Sequence, residues 1–368
     1  MSRDAGDGPA AGAPAGSPRQ GYSLPRIALA SVIGTAGGAV FWWLDTPLPW
    51  LLGSMCVCMA AALLKAPASM PSSTRLPAVA VIGVMLGGTF HPEILGQVAA
   101  WTISLLGLIG VLATAATASI LYYRRVARFD PATAYFAGVP GGIAEMIALA
   151  DQRGANVPVI ALAHASRIFL VVMTLPFILQ VIGVDPDPGA PLEARPGRDM
   201  MDLAYQYAWV LGCAVAGTVI AHRLRIPGYP LIGPMLVSAT VHLGGLASFD
   251  APPELLAVAQ VVMGCSIGLA FAGERVREVL RILVLAMGSM VLFTAIALAG
   301  TLLVSALTGI QPGLLLLSYA AAGFAEMSIM ALVLKVEVAF VATHHIVRMF
   351  LVIALAPLFL RFFVGPAP

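Results

Sequence analysis

Six polar side chains stand out against an apolar background: Glu145, His164 and Arg167 in the first half of the chain, Glu326, His345 and Arg348 in the second. Each histidine lies three residues before its arginine, a spacing that puts both on one face of a helix. Each glutamate sits in a glycine-containing apolar stretch. An ionised carboxylate in hydrocarbon is costly, so such a group lines a cavity, pairs with a cation or holds a proton. A Glu–Arg pair with a histidine beside it is charge-balanced and could bind a small ion or move a proton. The plainer alternative is that each arginine only neutralises its glutamate and pins the segment carrying it. On either reading, Glu145 is expected close to Arg167 and Glu326 close to Arg348.

These residues recur because the chain repeats itself. At an offset of 180, Gly37, Pro47, Gly53 and Met55 fall on Gly217, Pro227, Gly233 and Met235. The offset then becomes 181, and Gly83, Gly87 and Phe90 fall on Gly264, Gly268 and Phe271. Gly142-Ile143-Ala144-Glu145-Met146 falls on Gly323-Phe324-Ala325-Glu326-Met327, and His164 and Arg167 fall on His345 and Arg348. The repeats run over 25–183 and 203–364, joined by an acidic, proline-rich linker at 184–202.

The elements that must position these residues are membrane helices. Hydrophobic residues make up 60% of the 368-residue chain and charged ones 10%, with a mean hydropathy of +0.93. A soluble domain carries about 25% charged residues, so the outer surface here must face lipid. The net charge of +2 is too small to specify a partner. Residues 1–24 are Ala-, Gly- and Pro-rich without an apolar run, as in a disordered cytoplasmic tail. Cys56, Cys58, Cys213 and Cys265 all lie in apolar segments and lack the spacing of a metal or redox site.

Each half holds six apolar stretches, and the fifth is unusual. Residues 132–150 carry Pro140, Gly141 and Gly142 ahead of Glu145; the counterpart at 313–334 is less broken but keeps Gly323 and Glu326. If every stretch crosses, Lys and Arg divide 11 inside to 7 outside. If the fifth turns back, the division is 15 to 3, with only Arg195, Arg198 and Lys335 outside. The second arrangement predicts an all-α protein of ten crossings in two inverted repeats, each with a broken or re-entrant fifth segment, and both termini cytoplasmic. Glycine- or proline-interrupted segments in matching positions point to a transporter's midplane site. Here they are Pro140-Gly141-Gly142 with Gly323, and Gly53 with Gly233-Pro234, where unwound backbone could meet a ligand. For Gly83, Gly87, Gly264 and Gly268 close helix packing is the preferred reading.

The segments PLPWLLG and GYPLIGPM, FAGVPGGIAEM with AAGFAEM, and the His-x-x-Arg helix ending each half resemble the AbrB membrane-protein duplication family. The resemblance covers nearly everything after residue 25. It implies a multi-pass inner-membrane protein labelled a regulator of gene expression or an ammonia monooxygenase, and it carries no agreed set of functional residues. The sequence offers no Glu-x-x-His pair or dinucleotide fingerprint for a monooxygenase, and each His-x-x-Arg arginine would repel a metal cation. Neither the tail nor the linker could fold a DNA-binding helix-turn-helix, so a regulatory role would be indirect. The expected activity is therefore movement or sensing of a small solute at the bilayer. It requires no catalytic residue, metal or cofactor and no direct nucleic acid, and leaves homo-oligomerisation open.

Overall fold

In this computed structural model, residues 23–92, 96, 98–184 and 199–364 are described, and they form helices with no strand among them. The first half gives α1 (Leu24–Trp43), α2 (Pro49–Leu63), α3 (Ser72–Gly87), α4 (Thr102–Arg125), α5 (Pro131–Gly138), α6 (Ile143–Asp151) and α7 (Val157–Val181). The second gives α8 (Met200–Arg223), α9 (Tyr229–Leu243), α10 (Pro253–Gly268), α11 (Val276–Thr308), α12 (Pro312–Tyr319), α13 (Phe324–Val333) and α14 (Val338–Phe363). Many start with proline in the first turn, where its missing N–H leaves nothing unsatisfied. Of the expected tail and linker, residues 1–22 and 185–198 lie outside the described residues, while Met200–Asp202, expected in the linker, open α8.

Among the described residues, seven helical stretches are long and apolar enough to cross a membrane: α1, α4, α7, α8, α11, α10 with the turn that carries it on to Phe271, and α14 as far as Ala356. Burial sorts them. In α1 and α8 only 22% of the apolar window is buried by protein, whereas in α7 it is 78%. Outward faces of the peripheral helices carry Val32 and Val40, Leu106, Leu211 and Val215, and Val284 and Val291. Such apolar surface belongs in lipid, so this is an all-helical membrane protein with α7 near its centre.

The helices form two groups. In the first, α2 packs on α1 and α10, and α9 packs on α8 and α3. In the second, α4 and α7 pack on α11, and α12 and α13 pack on α14. Glycines make the close approaches of the first group. Gly83 and Gly87 of α3 rest on the Leu231 and Met235 carbonyls of α9; Gly264 and Gly268 of α10 rest on the Leu51 and Met55 carbonyls of α2. Each second pair is the first moved by the repeat offset.

Gly53 and Gly233-Pro234, expected as breaks, lie inside continuous helices. Gly53 meets the backbone of Gly37, and Gly233 that of Gly217, so these positions are small to let α1 approach α2 and α8 approach α9. A Cβ on Gly37 would stand 2.5 Å from the Gly53 carbonyl oxygen, whereas one on Gly110 meets nothing within 4 Å. Gly37→Val is therefore expected to destabilise by about 1–3 kcal/mol through overpacking, and Gly110→Val to melt like wild type. Thermal denaturation in detergent compares them, and equal melting would refute the packing role.

Candidate functional site

The fifth segment of each half is two short helices around a break. Chain 139–142 separates α5 from α6, and chain 320–323 separates α12 from α13. At the edges of both breaks the backbone is extended: Val139 has φ −69°, ψ 130° and Ala320 has φ −60°, ψ 138°. Any residue adopts these angles, so glycine's freedom does not explain them. In the first half Pro140 accounts for the break, since it biases Val139 to extended backbone and supplies no N–H. Nothing local does so in Ala320-Ala321-Ala322. The sequence makes this counterpart look less broken, yet it is broken over the same four positions.

Tertiary contacts hold the second break. Arg348 of α14 donates from Nη2 to the Ala322 carbonyl at 2.7 Å and from Nη1 to the Ala320 carbonyl. A cation at the C-terminal end of α12 also suits that helix's dipole and its unmet carbonyls. In the first half Arg167 of α7 donates to the Ala137 carbonyl at a long 3.4 Å, and more firmly to His164 Nδ1 at 2.8 Å. His164 Nε2 lies 2.8 Å from the Phe136 carbonyl. A carbonyl only accepts, so Nε2 carries the hydrogen and Nδ1 is free to accept from Arg167; the ring is held neutral. His345 likewise faces the Leu317 carbonyl at 3.2 Å, but its Nδ1 has no partner.

Glu326 corrects an expectation. Its hydrogen-bonded partner is Arg75 of α3, Oε1 to Nη2 at 2.9 Å, rather than Arg348. No ion pair joins Arg348 to Glu326 among the described residues. The reason is competition: both Arg348 amino groups are engaged by the break carbonyls. The Arg75 side chain is 39% exposed and that of Glu326 1%, so the pair joins an accessible cation in one helix group to a buried carboxylate in the other. Glu326 Oε2 has no hydrogen-bond partner and folds over Gly323. The Glu145 side chain lies outside the described residues, and with it the expected Glu145–Arg167 pair. Counting charges in loops concealed Arg75, because it sits in the first turn of α3, which begins at Ser72.

Each hairpin is also anchored in the opposite half. Tyr135 of α5 donates to the Ala356 carbonyl of α14 at 2.7 Å, and Tyr319 of α12 to the Ser104 carbonyl of α4 at 2.8 Å. His344, which belongs to neither His-x-x-Arg motif, hydrogen-bonds Ser104 Oγ at 3.0 Å.

A family model described as "Transition state regulatory protein AbrB" matches residues 50–364, which include both hairpins and both His-x-x-Arg helices. The chain belongs to the AbrB family. The uncharacterized protein YhjN of Bacillus subtilis is 28% identical to it over 350 residues, 89% of this chain and 91% of that one. A protein of Escherichia coli named "Putative regulator AbrB" is 26% identical over 247 residues, 64% of this chain and 67% of its own.

Proposed function

We propose that this AbrB-family protein is a transporter-like membrane protein that moves or senses a small solute, with Glu145, His164, Arg167, Glu326, His345 and Arg348 as its polar centre and Arg75 added to it. The observation carrying the reading is the pair of matched broken hairpins: buried Arg348 meets the break carbonyls of Ala320 and Ala322, and buried Arg167 reaches the Ala137 carbonyl in the last turn of α5. Irregular backbone at membrane depth is tolerated where protein or a cavity satisfies it, and transporters place substrate at such breaks. Neither role needs a catalytic centre, a cofactor or direct contact with nucleic acid. Uptake into proteoliposomes, guided by a thermal-shift screen of solutes on the purified protein, tests it. A solute that binds but is never moved would favour the second reading, an indirect regulator of gene expression, which the printed names of the family and of the E. coli relative favour.

The same reading includes ten crossings in two inverted repeats of the inner membrane, with both termini in the cytoplasm. Two features support it: the charge division, and the Asn156 amide, which donates to Thr133 Oγ1 at 2.9 Å. That bond sets the start of α7 beside the start of α5, as it would be if α5 and α6 leave and return on one side. An odd number of crossings then turns the second half over. A cysteine at Ala190, in the linker, is expected to react with an impermeant maleimide in intact spheroplasts. Labelling only after lysis would put the linker in the cytoplasm and remove the inverted arrangement.

A further inference from the structure

We infer that the cleft between α7, α11 and the second break binds the carboxylate end of a small aliphatic monocarboxylate, a substrate class that rests on the solute-site reading above. The cleft is lined by Arg167 and Thr174 of α7, Phe293 and Thr294 of α11, and Ala320 and Ala321 of the break. Its enclosed part is about 10 Å³, room for roughly one water molecule or an oxygen of a small head group.

Charge selects the sign of the ligand. Arg167 is only 4% exposed, its Nε–H is buried without a partner, and no described carboxylate forms an ion pair with it. Its remaining donors go to a neutral histidine and, at 3.4 Å, to a carbonyl. Arg348, which donates to the carbonyl of Ala320 in the cleft lining, adds a second positive charge nearby, while Glu326 is already engaged by Arg75. A buried guanidinium with an unmet donor is a costly arrangement, and a carboxylate oxygen brings the acceptor and the negative charge that its free Nε–H lacks.

The walls select the rest of the molecule. Val171, Leu175 and Ile178 complete the α7 side. Phe177 and Val291, next in sequence to the lining residues Ile178 and Met290, are exposed on the same helices, so lipid-facing surface lies beside the cleft. A strongly hydrated inorganic anion would lose its water against these side chains with little in return. A carboxylate with a hydrocarbon tail leaves the tail in the apolar mouth and brings only its head to Arg167. Such an anion reaches the cleft either from water as a short acid or from the bilayer as a long one.

The test uses the purified full-length protein in detergent, with sodium butyrate, hexanoate and decanoate as probes, and 1-hexanol, hexylamine and sodium sulfate as controls. Hexanoate is expected to raise the melting temperature and the controls not to. Losing one charge-assisted hydrogen bond weakens binding about 10- to 100-fold, so Arg167→Met is expected to bind hexanoate at least about tenfold more weakly. If that variant does not fold, Thr294→Leu fills the mouth while keeping every charge, and it is expected to abolish the hexanoate shift. Stabilisation by butyrate marks the aqueous source; stabilisation by decanoate alone marks the bilayer. Equal shifts from hexanoate and hexanol, or a hexanoate shift that survives both variants, would overturn the inference. Uptake of a different solute without carboxylate binding refutes the inference alone, and carboxylate binding without uptake refutes transport alone.

Discussion

Arg348→Met is expected to melt far below wild type, and further below it than Arg167→Met. Methionine approximates the length of the arginine stem and removes every donor. Two carbonyls, of Ala320 and Ala322, then lose their partner inside the protein. A buried acceptor left unmet costs roughly 1–3 kcal/mol, so the pair should cost about 2–6 kcal/mol. Arg167→Met strands one good acceptor, His164 Nδ1, and one at the long distance of 3.4 Å. Its break is also written into the chain by Pro140, which needs no arginine to stay open. Chemical denaturation in mild detergent gives the order. If Arg167→Met proved the more damaging, the arginine at Ala320 and Ala322 would not be what holds the second break.

Glu326→Gln is expected to fold almost normally and to lose function, whereas Arg75→Gln is expected to lose stability. The asymmetry follows from burial. Removing the carboxylate's charge strands Arg75, whose side chain is 39% exposed. Its long stem lets the head turn out toward water or head groups, so the penalty stays below the roughly 3–5 kcal/mol of a fully buried pair broken on one side. Removing Arg75 strands Glu326, whose side chain is 1% exposed, and only protonation would relieve it. The double variant should recover much of the stability that Arg75→Gln loses, because two amides can hydrogen-bond where the ions did. Solute response, measured as uptake or as a ligand-induced melting shift, should be absent in all three. A Glu326→Gln protein that melts far below wild type would make the carboxylate a structural counter-ion. A stable one that responds normally would remove Glu326 from the solute site.

The sequence disclosed the repeat, the apolar segments and the first break because each is local. A proline with a glycine pair at 140–142 breaks a helix by its own chemistry, and the fixed offset carries the inference to Gly323. The triple alanine 320–322 carries no such signal. Alanine favours helix, and what stretches it lies 26 to 28 residues away in Arg348. Gly53 and Gly233 misled in the opposite direction: a small residue reads the same whether it frees the backbone or admits a neighbour, and only the facing Gly37 and Gly217 decide between them. Arg75 was visible as a charge but not as a partner, since no spacing rule links the first turn of α3 to α13.

The exchange of glycine seats sets an order on assembly. While the ribosome is still delivering the first half, α3 presents Gly83 and Gly87 with no seat, because Leu231 and Met235 belong to chain not yet made. The same glycine faces in the second half find α2 already inserted and waiting. A nascent first repeat therefore has to be held in the membrane with one helix unpartnered, and the two groups of helices can close only after the linker has been translated. Expressed alone, that repeat lacks the carbonyls of Leu231 and Met235 on which those glycines rest, so a split gene would yield a pair of interlocked fragments or none.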